Sequence, residues 1–258
     1  MQLFILAILP LAAANTLFPQ HIFSSPSSET STSRIPSTYE SAVLARRILH
    51  LTPLGTLSTV FPAAHKDAAA TAKQRPQDLG GVPIGLMDYF ADCETTGNPT
   101  ILAINIATSF KNVAAGSNIS LSLSWTPPYR PSRFSSPNEP RPLPYSAASL
   151  PRYSLLGYLE PISPSSVTSL KLAKCFTDTH PDAKYWLPGN PIHTSEWVRL
   201  VVEQVYWIGG FGDRNYIGWI PVEEWRDVER SEWEEVRLPG EREKGRAEGW
   251  WGWFSGDL

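Results

Sequence analysis

The chain has 258 residues, 25 of them acidic and 22 basic, for a formal net charge of −3, and only two cysteines. That balance lacks the basic excess of a nucleic-acid-binding surface, and two cysteines without a CxxC pair are too few for a closed zinc site of about four ligands. The length suits one large domain, or a domain with insertions.

The opening MQLFILAILPLAAANT carries an apolar run from Leu3 to Ala14, with Ala12 and Ala14 at the positions a signal peptidase reads. Residues 1–14 are therefore expected to be a signal peptide. The run is shorter than the roughly 20 apolar residues a membrane-spanning helix needs. No later segment is long and apolar enough either, so no integral membrane segment is expected. The mature chain is expected to be secreted, or to reside in the secretory pathway or vacuole. Residues 15–37, rich in Ser, Thr and Pro, read as a disordered lead-in.

From Thr38, TYESAVLARRILHL predicts a helix capped by Ser37 or Thr38, with Ala42, Ala45, Ile48 and Leu49 at helical spacing. Gly55 to Phe61 alternates small polar with apolar residues, as a half-buried strand does. Ala63 to Gly80 reads as a loop. Pro83 to Glu94 is a nearly continuous apolar run and predicts a central strand covered on both faces. A turn at Gly97-Asn98-Pro99 leads to a strand over Ile101–Ala107. Thr108 to Gly116 predicts a short helix, with Ser109 as N-cap and Gly116 as its stop.

Ile119 to Trp125 alternates strictly, apolar against serine, and is the clearest strand of the chain. Residues 126–151 carry many prolines, which donate no ladder hydrogen bond, and read as an inserted surface loop. Tyr153–Ile162 predicts a strand. Ser165–Phe176 predicts a helix broken by Pro181. Trp197–Ile208 and Tyr216–Val222 predict a hairpin around Gly209-Gly210-Phe211-Gly212-Asp213. The tail, residues 229–258, is charged and then Trp-rich. It reads as a mobile end whose aromatics pack back on the domain or bind a partner. Strands with short interspersed helices fit a mainly β barrel better than a doubly wound sheet, which needs a long helix after each strand.

In an oxidising compartment Cys93 and Cys175 are expected to form one disulfide. Asn118-Ile119-Ser120 is a glycosylation acceptor, so Asn118 is the expected site; proline blocks Asn98-Pro99-Thr100. Histidine is the commonest general acid or base. His180, beside Pro181 and Asp182, nevertheless suits a capping role, and His193 a structural one. His50 and His65 are isolated. No GxSxG or Ser-His-Asp pattern is present, and no catalytic residue is assigned. The Gly209–Asp213 run lacks the Lys-Ser/Thr of a phosphate loop and opens no helix. It reads as a bulge and tight turn with Phe211 packing down. Tyr206, Trp207, Trp219 and Trp225 are expected in the core or a dimer interface, and only second as a stacking platform for a planar ligand.

The stretch HPDAKYWLPGNPIHTSEWVRLVVEQVYWIGGFGDRNYIGWIPVEEW, His180 to Trp225, resembles the closing hairpin of the CREG-like branch of the flavin-mononucleotide (FMN)-binding split barrels. That branch belongs to the pyridoxamine-5′-phosphate-oxidase-like superfamily. The resemblance also runs through ARRILHLTPLGTLSTV and from Gly81 to Trp125, and covers roughly Tyr39 to Asp227. It implies a six-stranded split β-barrel over residues 38–228, a homodimer, and a secreted or vacuolar/endolysosomal glycoprotein. Such a protein would be non-catalytic, binding an unknown protein or a small planar ligand. The alternative it implies is an FMN-dependent oxidoreductase. In flavin-binding members, hydroxyl and basic residues near the helix after the third strand hold the flavin phosphate. Thr108, Ser109 and Lys111 match that place and imply a vestigial phosphate site. The strands that should add further basic residues carry almost none, so no cofactor is expected, with FMN as the alternative. A haem-handling barrel is a third reading, without an axial-ligand signal.

Overall fold

The computed structural model describes residues 34–63, 76, 78–127, 146–163 and 165–241. Helix α1 (Thr38–Leu51) begins where its cap dictates. The Ser37 hydroxyl accepts from Glu40 N–H at 3.1 Å, and Ser37 N–H donates to the Glu40 carboxylate at 2.8 Å, a reciprocal capping box. Its apolar stripe, Ala42, Ala45, Ile48 and Leu49, is fully buried. Pro53 follows directly after the C-cap Thr52 and cannot continue the helix.

Seven strands follow: β1 (Leu54–Val60), β2 (Pro83–Ala91), β3 (Thr100–Ile104), β4 (Ile119–Ser124), β5 (Arg152–Pro161), β6 (Ser195–Ile208) and β7 (Ile217–Ile220). Their order is β3-β2-β1-β4-β5-β6-β7, every pair antiparallel. A further pairing of β3 with β6 closes β1–β6 into a six-stranded barrel, and β7 extends β6 as a hairpin. The period-2 pattern turns Leu57, Leu121 and Leu155 inward, where Phe90, Ile101, Val205 and α1 complete the core. A bulge in β5 at Leu156/Gly157 needs glycine, because a Cβ at Gly157 would sit 1.8 Å from the Val201 carbonyl oxygen.

A second layer packs outside the barrel. Helix α3 (Ser166–Thr179), numbered after α2 (Thr108–Ala114), starts at the Ser165 N-cap and ends at His180, with a 3₁₀ helix (Pro181–Tyr185) next. Phe176, Leu172 and Ala183 bury against Ala91, Leu102 and Trp197 of the sheet. Helices α4 (Val222–Asp227) and α5 (Arg230–Glu235) close the described chain.

Several expectations are corrected. Strand β2 is not covered on both faces: Pro83, Gly85 and Leu86 are exposed, and Met87 is 69% exposed. It meets β3 through only two residues, Phe90↔Ile101 and Ala91↔Thr100, and diverges beyond them. An apolar run records composition, not coverage. Residues 229–241 are not a mobile end. Trp233 and Leu238 are buried in the main core, Arg47 pairs with Glu241, and the Tyr39 hydroxyl donates to the Glu232 carboxylate at 2.7–2.8 Å. That hydrogen bond, with burial and the Glu232 charge, pushes the Tyr39 phenol up to about 12. The Trp250–Phe254 segment, residues 1–33 and residues 128–145 of the proline-rich insertion lie outside the described residues. Among the described residues no helix is long and apolar enough to cross a membrane.

Candidate functional site

Helix α2 does not form the expected phosphate cup. Its N-cap is Ala107, with no side-chain cap bond, so Ser109 is not the cap. Residues two apart on a helix point about 200° apart. Ser109 is accordingly buried at 2% exposure while Lys111 is exposed to solvent, and Thr108 is half-buried between them. The helix is anchored by Phe110 and by Asn112, whose Nδ2 donates to Thr59 Oγ1 at 3.0 Å. Gly116 follows it at φ +94°, as a helix stop should.

The divergence of β2 from β3 opens a cleft elsewhere. A cavity of about 380 Å³ is lined by Leu54, Met87, Asp88, Tyr89, Leu102, Ile104, Phe176 and Trp186. Alternation puts Met87 and Tyr89 on the outer face of β2 and Asp88 on the barrel face with Phe90. Beyond the Phe90↔Ile101 pair no partner strand covers Asp88 on the β3 side, so it too borders the cleft. Burial holds its carboxyl above the usual range, opposed by the hydrogen bond it accepts from Tyr89 N–H at 2.8 Å.

Tyr89 is fixed from two sides. Its hydroxyl donates to Asp182 Oδ2 at 2.8 Å, which raises the phenol pKa, and its ring stacks on His180 with centroids 4.2 Å apart. His180 Nε2 meets the Phe90 carbonyl at 2.8 Å, and burial lowers the imidazole pKa. His180 thus bridges α3 and β2 within the core. It stands at the N-cap of the 3₁₀ helix, but its side chain makes no cap bond there, contrary to the expected capping role. Cys93 and Cys175 form a disulfide with Cα atoms 5.8 Å apart, which ties α3 to the end of β2 one residue before the cleft residue Phe176.

The register also builds a continuous row across the outer face: Met87, Thr56, Ser122, Ser154, Tyr206 and Trp219. Its small hydroxyl residues leave a groove of about 330 Å³. Ser122 and Ser154 share a hydrogen bond at 2.6 Å, and Tyr206 packs edge-on to Trp219 at 4.9 Å. Trp219 is 53% exposed, whereas Trp207 and Trp225 lie in the core. The Gly209–Asp213 turn lines neither cavity, and Phe211 is exposed rather than packed down. Its carbonyl accepts from Arg214 and Asn215 N–H, which closes the turn on the backbone. His193 lines neither cavity, and Asn118 is exposed just before β4. Among the described residues no cluster of His, Cys, Asp and Glu could hold a metal.

Asp88, Tyr89 and Trp186 were not singled out from the sequence. One signal was present: Asp88 interrupts the apolar run Ile84 to Ala91.

Solved structures are similar to this chain in part. A heme-binding protein from Mycobacterium smegmatis matches at 22% identity and a TM-score of 0.49, over 75% of this chain and 62% of that one; the chain therefore spans less than two thirds of its length. A second solved chain matches at 17% identity and a TM-score of 0.51, over 76% of this chain and 100% of its own. A protein of unknown function from Agrobacterium tumefaciens matches at 23% identity and a TM-score of 0.44, over 66% of this chain and 57% of that one. Of these three, the second, with a TM-score above 0.5, bears on the fold, and at 17% identity on the fold alone. No curated protein matches. The family model described as "CREG, beta-barrel" matches residues 36–227, the whole barrel with α1 and α4, and the chain belongs to that family.

Proposed function

We propose that this protein acts by binding rather than by catalysis, with a small, planar, largely apolar ligand held in the cleft between β2, β3 and α3. The observation that carries this reading is the lining of the cleft: four aliphatic or thioether side chains, Leu54, Met87, Leu102 and Ile104, stand with three aromatic ones, Tyr89, Phe176 and Trp186, and Asp88 is the one acid among the described lining residues, the make-up of a ligand pocket. No nucleophile stands beside a base in it.

FMN does not fit this lining. Its phosphate carries a charge of about −1.5 to −2 and calls for basic side chains. Among the described residues no Lys or Arg lines the cleft, Asp88 would repel the phosphate, and Ser109 and Lys111 point in different directions. Micromolar affinity needs about −8 kcal/mol, and the phosphate would subtract from it. Purified protein is therefore expected to show no flavin band between 350 and 500 nm, and to bind added FMN no tighter than millimolar. Submicromolar quenching on FMN titration, lost in Lys111→Ala, would promote the FMN-dependent oxidoreductase reading instead. The same spectrum would reveal a haem.

We also propose a homodimer. The outer-face row sets small hydroxyl residues between the exposed Met87 and Trp219, with Leu54, Val60 and Ile217 exposed nearby, which suits self-complementary burial. Light scattering at micromolar concentration is expected to give twice the chain mass; a monomer across a hundredfold concentration range would refute the dimer.

Export completes the proposal, with a secreted or vacuolar/endolysosomal destination. The apolar run ending at Ala14 is its support, and Asn118 is the carbohydrate site. N-terminal sequencing of exported protein is expected to start near Asn15, and a glycosidase to reduce its mass. Retention of Met1 in a cytosolic product would sink the idea.

A further inference from the structure

We infer that the β2–β3 cleft selects an organic cation, an aromatic amine or quaternary ammonium with a flat apolar body, and that Asp88 and Tyr89 set this preference. The inference rests on the cleft being the ligand site and adds the charge of its occupant.

Three observations converge. First, the rings of Tyr89 and Trp186 stand 6.4 Å apart at 50°, two walls of a partial cage, with Phe176 behind them. Aromatic faces attract cations through their quadrupoles, more strongly when the site is desolvated. Second, Asp88 lacks a cationic partner among the described residues and accepts only the Tyr89 N–H. A partly buried carboxylate without a counter-charge is costly, and a ligand cation would supply the missing charge. Third, the charged groups that border or hold the cage, Asp88 and Asp182, are acids. Asp182 holds the Tyr89 hydroxyl from the 3₁₀ helix, burial keeps His180 toward its neutral form, and among the described residues no Lys or Arg lines the cavity. The lining thus favours a cation over a neutral ring of the same shape, and opposes an anion.

The test uses the full chain and three tricyclic probes of similar size at pH 8: proflavine (cationic), acridine (neutral) and anthracene-9-carboxylate (anionic). Fluorescence titration is expected to rank them in that order. Asp88→Asn, which keeps the shape and removes the charge, is expected to weaken proflavine roughly 10- to 100-fold, the range for hydrogen bonds to charged groups. It should leave acridine unchanged and should not lower the melting temperature, since it relieves an unpaired buried acid. Met87→Arg, at a rim position that also lies on the proposed dimer face, supplies a second variant outside the interior, with light scattering to follow its oligomeric state. It is expected to reverse the ranking of proflavine and anthracene-9-carboxylate. Equal affinity for proflavine and acridine, unaffected by Asp88→Asn, would overturn the cation preference and leave the cleft as a ligand site. Binding of none of the three would overturn both.

Discussion

Replacing Arg46 by alanine is expected to cost about 3–5 kcal/mol of stability, among the largest effects of any single substitution. Arg46 is 1% exposed, in the middle of α1. Its guanidinium donates to the carbonyls of Trp225 at 3.1 Å, Val228 at 3.4 Å and Thr95 at 2.8 Å, and lies 5.3 Å from the Trp225 ring centroid. It therefore joins α1 to the C-terminal half of α4 and to the turn after β2. Gly97 makes room for it: a Cβ there would lie 2.8 Å from the guanidinium. Burial lowers the Arg46 pKa and the charge of Asp92 opposes that, but a guanidinium stays protonated in a folded protein at neutral pH. Truncation would leave three carbonyls without their donor, at about 1–3 kcal/mol for each buried polar group left unsatisfied, and open a cavity beside Trp225. Relief of the buried charge offsets part of that sum. Lysine should not rescue, because one ammonium cannot reproduce a planar fork that reaches both sides. Urea unfolding followed by tryptophan fluorescence measures the loss. A change below about 1 kcal/mol would show that the network contributes little.

Arg46 also marks where sequence reading stops. Nothing in ARRIL announces that Arg46 and Arg47 are both buried. Their partners, Trp225 and Glu241, lie far along the chain, in helices of six residues or the turn after them, too short for a periodic signal. Local patterns read well where local physics decides the outcome. The alternation of Ile119–Ser124 is a strand, Ser37 with Glu40 caps α1, and Ser165 caps α3. Reading failed where coverage depends on a distant partner. The exposure of β2 follows from its two-residue pairing with β3, and no residue of β2 announces it. The candidate site is less legible still. Leu54, Met87–Tyr89, Leu102–Ile104 and Phe176–Trp186 come from four segments that only the barrel closure assembles. Ser109 and Lys111 stand two residues apart in the sequence, and their helical offset separates them.

Opening the Cys93–Cys175 disulfide is expected to lower stability by about 4–5 kcal/mol in the chain-entropy model, since the bond spans 82 residues. For a domain of this size that corresponds to a drop of about 10–15 °C in melting temperature. The loop it closes contains β3, α2, β4 and β5, so the unfolded chain gains much freedom when the bond is cut. The folded state has a local weakness as well. Helix α3 and the 3₁₀ helix after it meet the sheet through a small cluster, with Leu172, Phe176 and Ala183 against Ala91, Leu102 and Trp197. The disulfide is its covalent tie to the strand end at Ala91. Cys175 directly precedes Phe176, a wall of the cleft, so loosening α3 should widen the cavity and weaken ligand binding before global unfolding. Calorimetry of the Cys93→Ser/Cys175→Ser double variant against the oxidised protein gives the global loss. Proflavine affinity measured well below the melting temperature gives the local one. A melting temperature within 3 °C of the oxidised protein would show that α3 is held by packing alone. A large drop with unchanged probe affinity would show that the bond stabilises the fold without shaping the cleft.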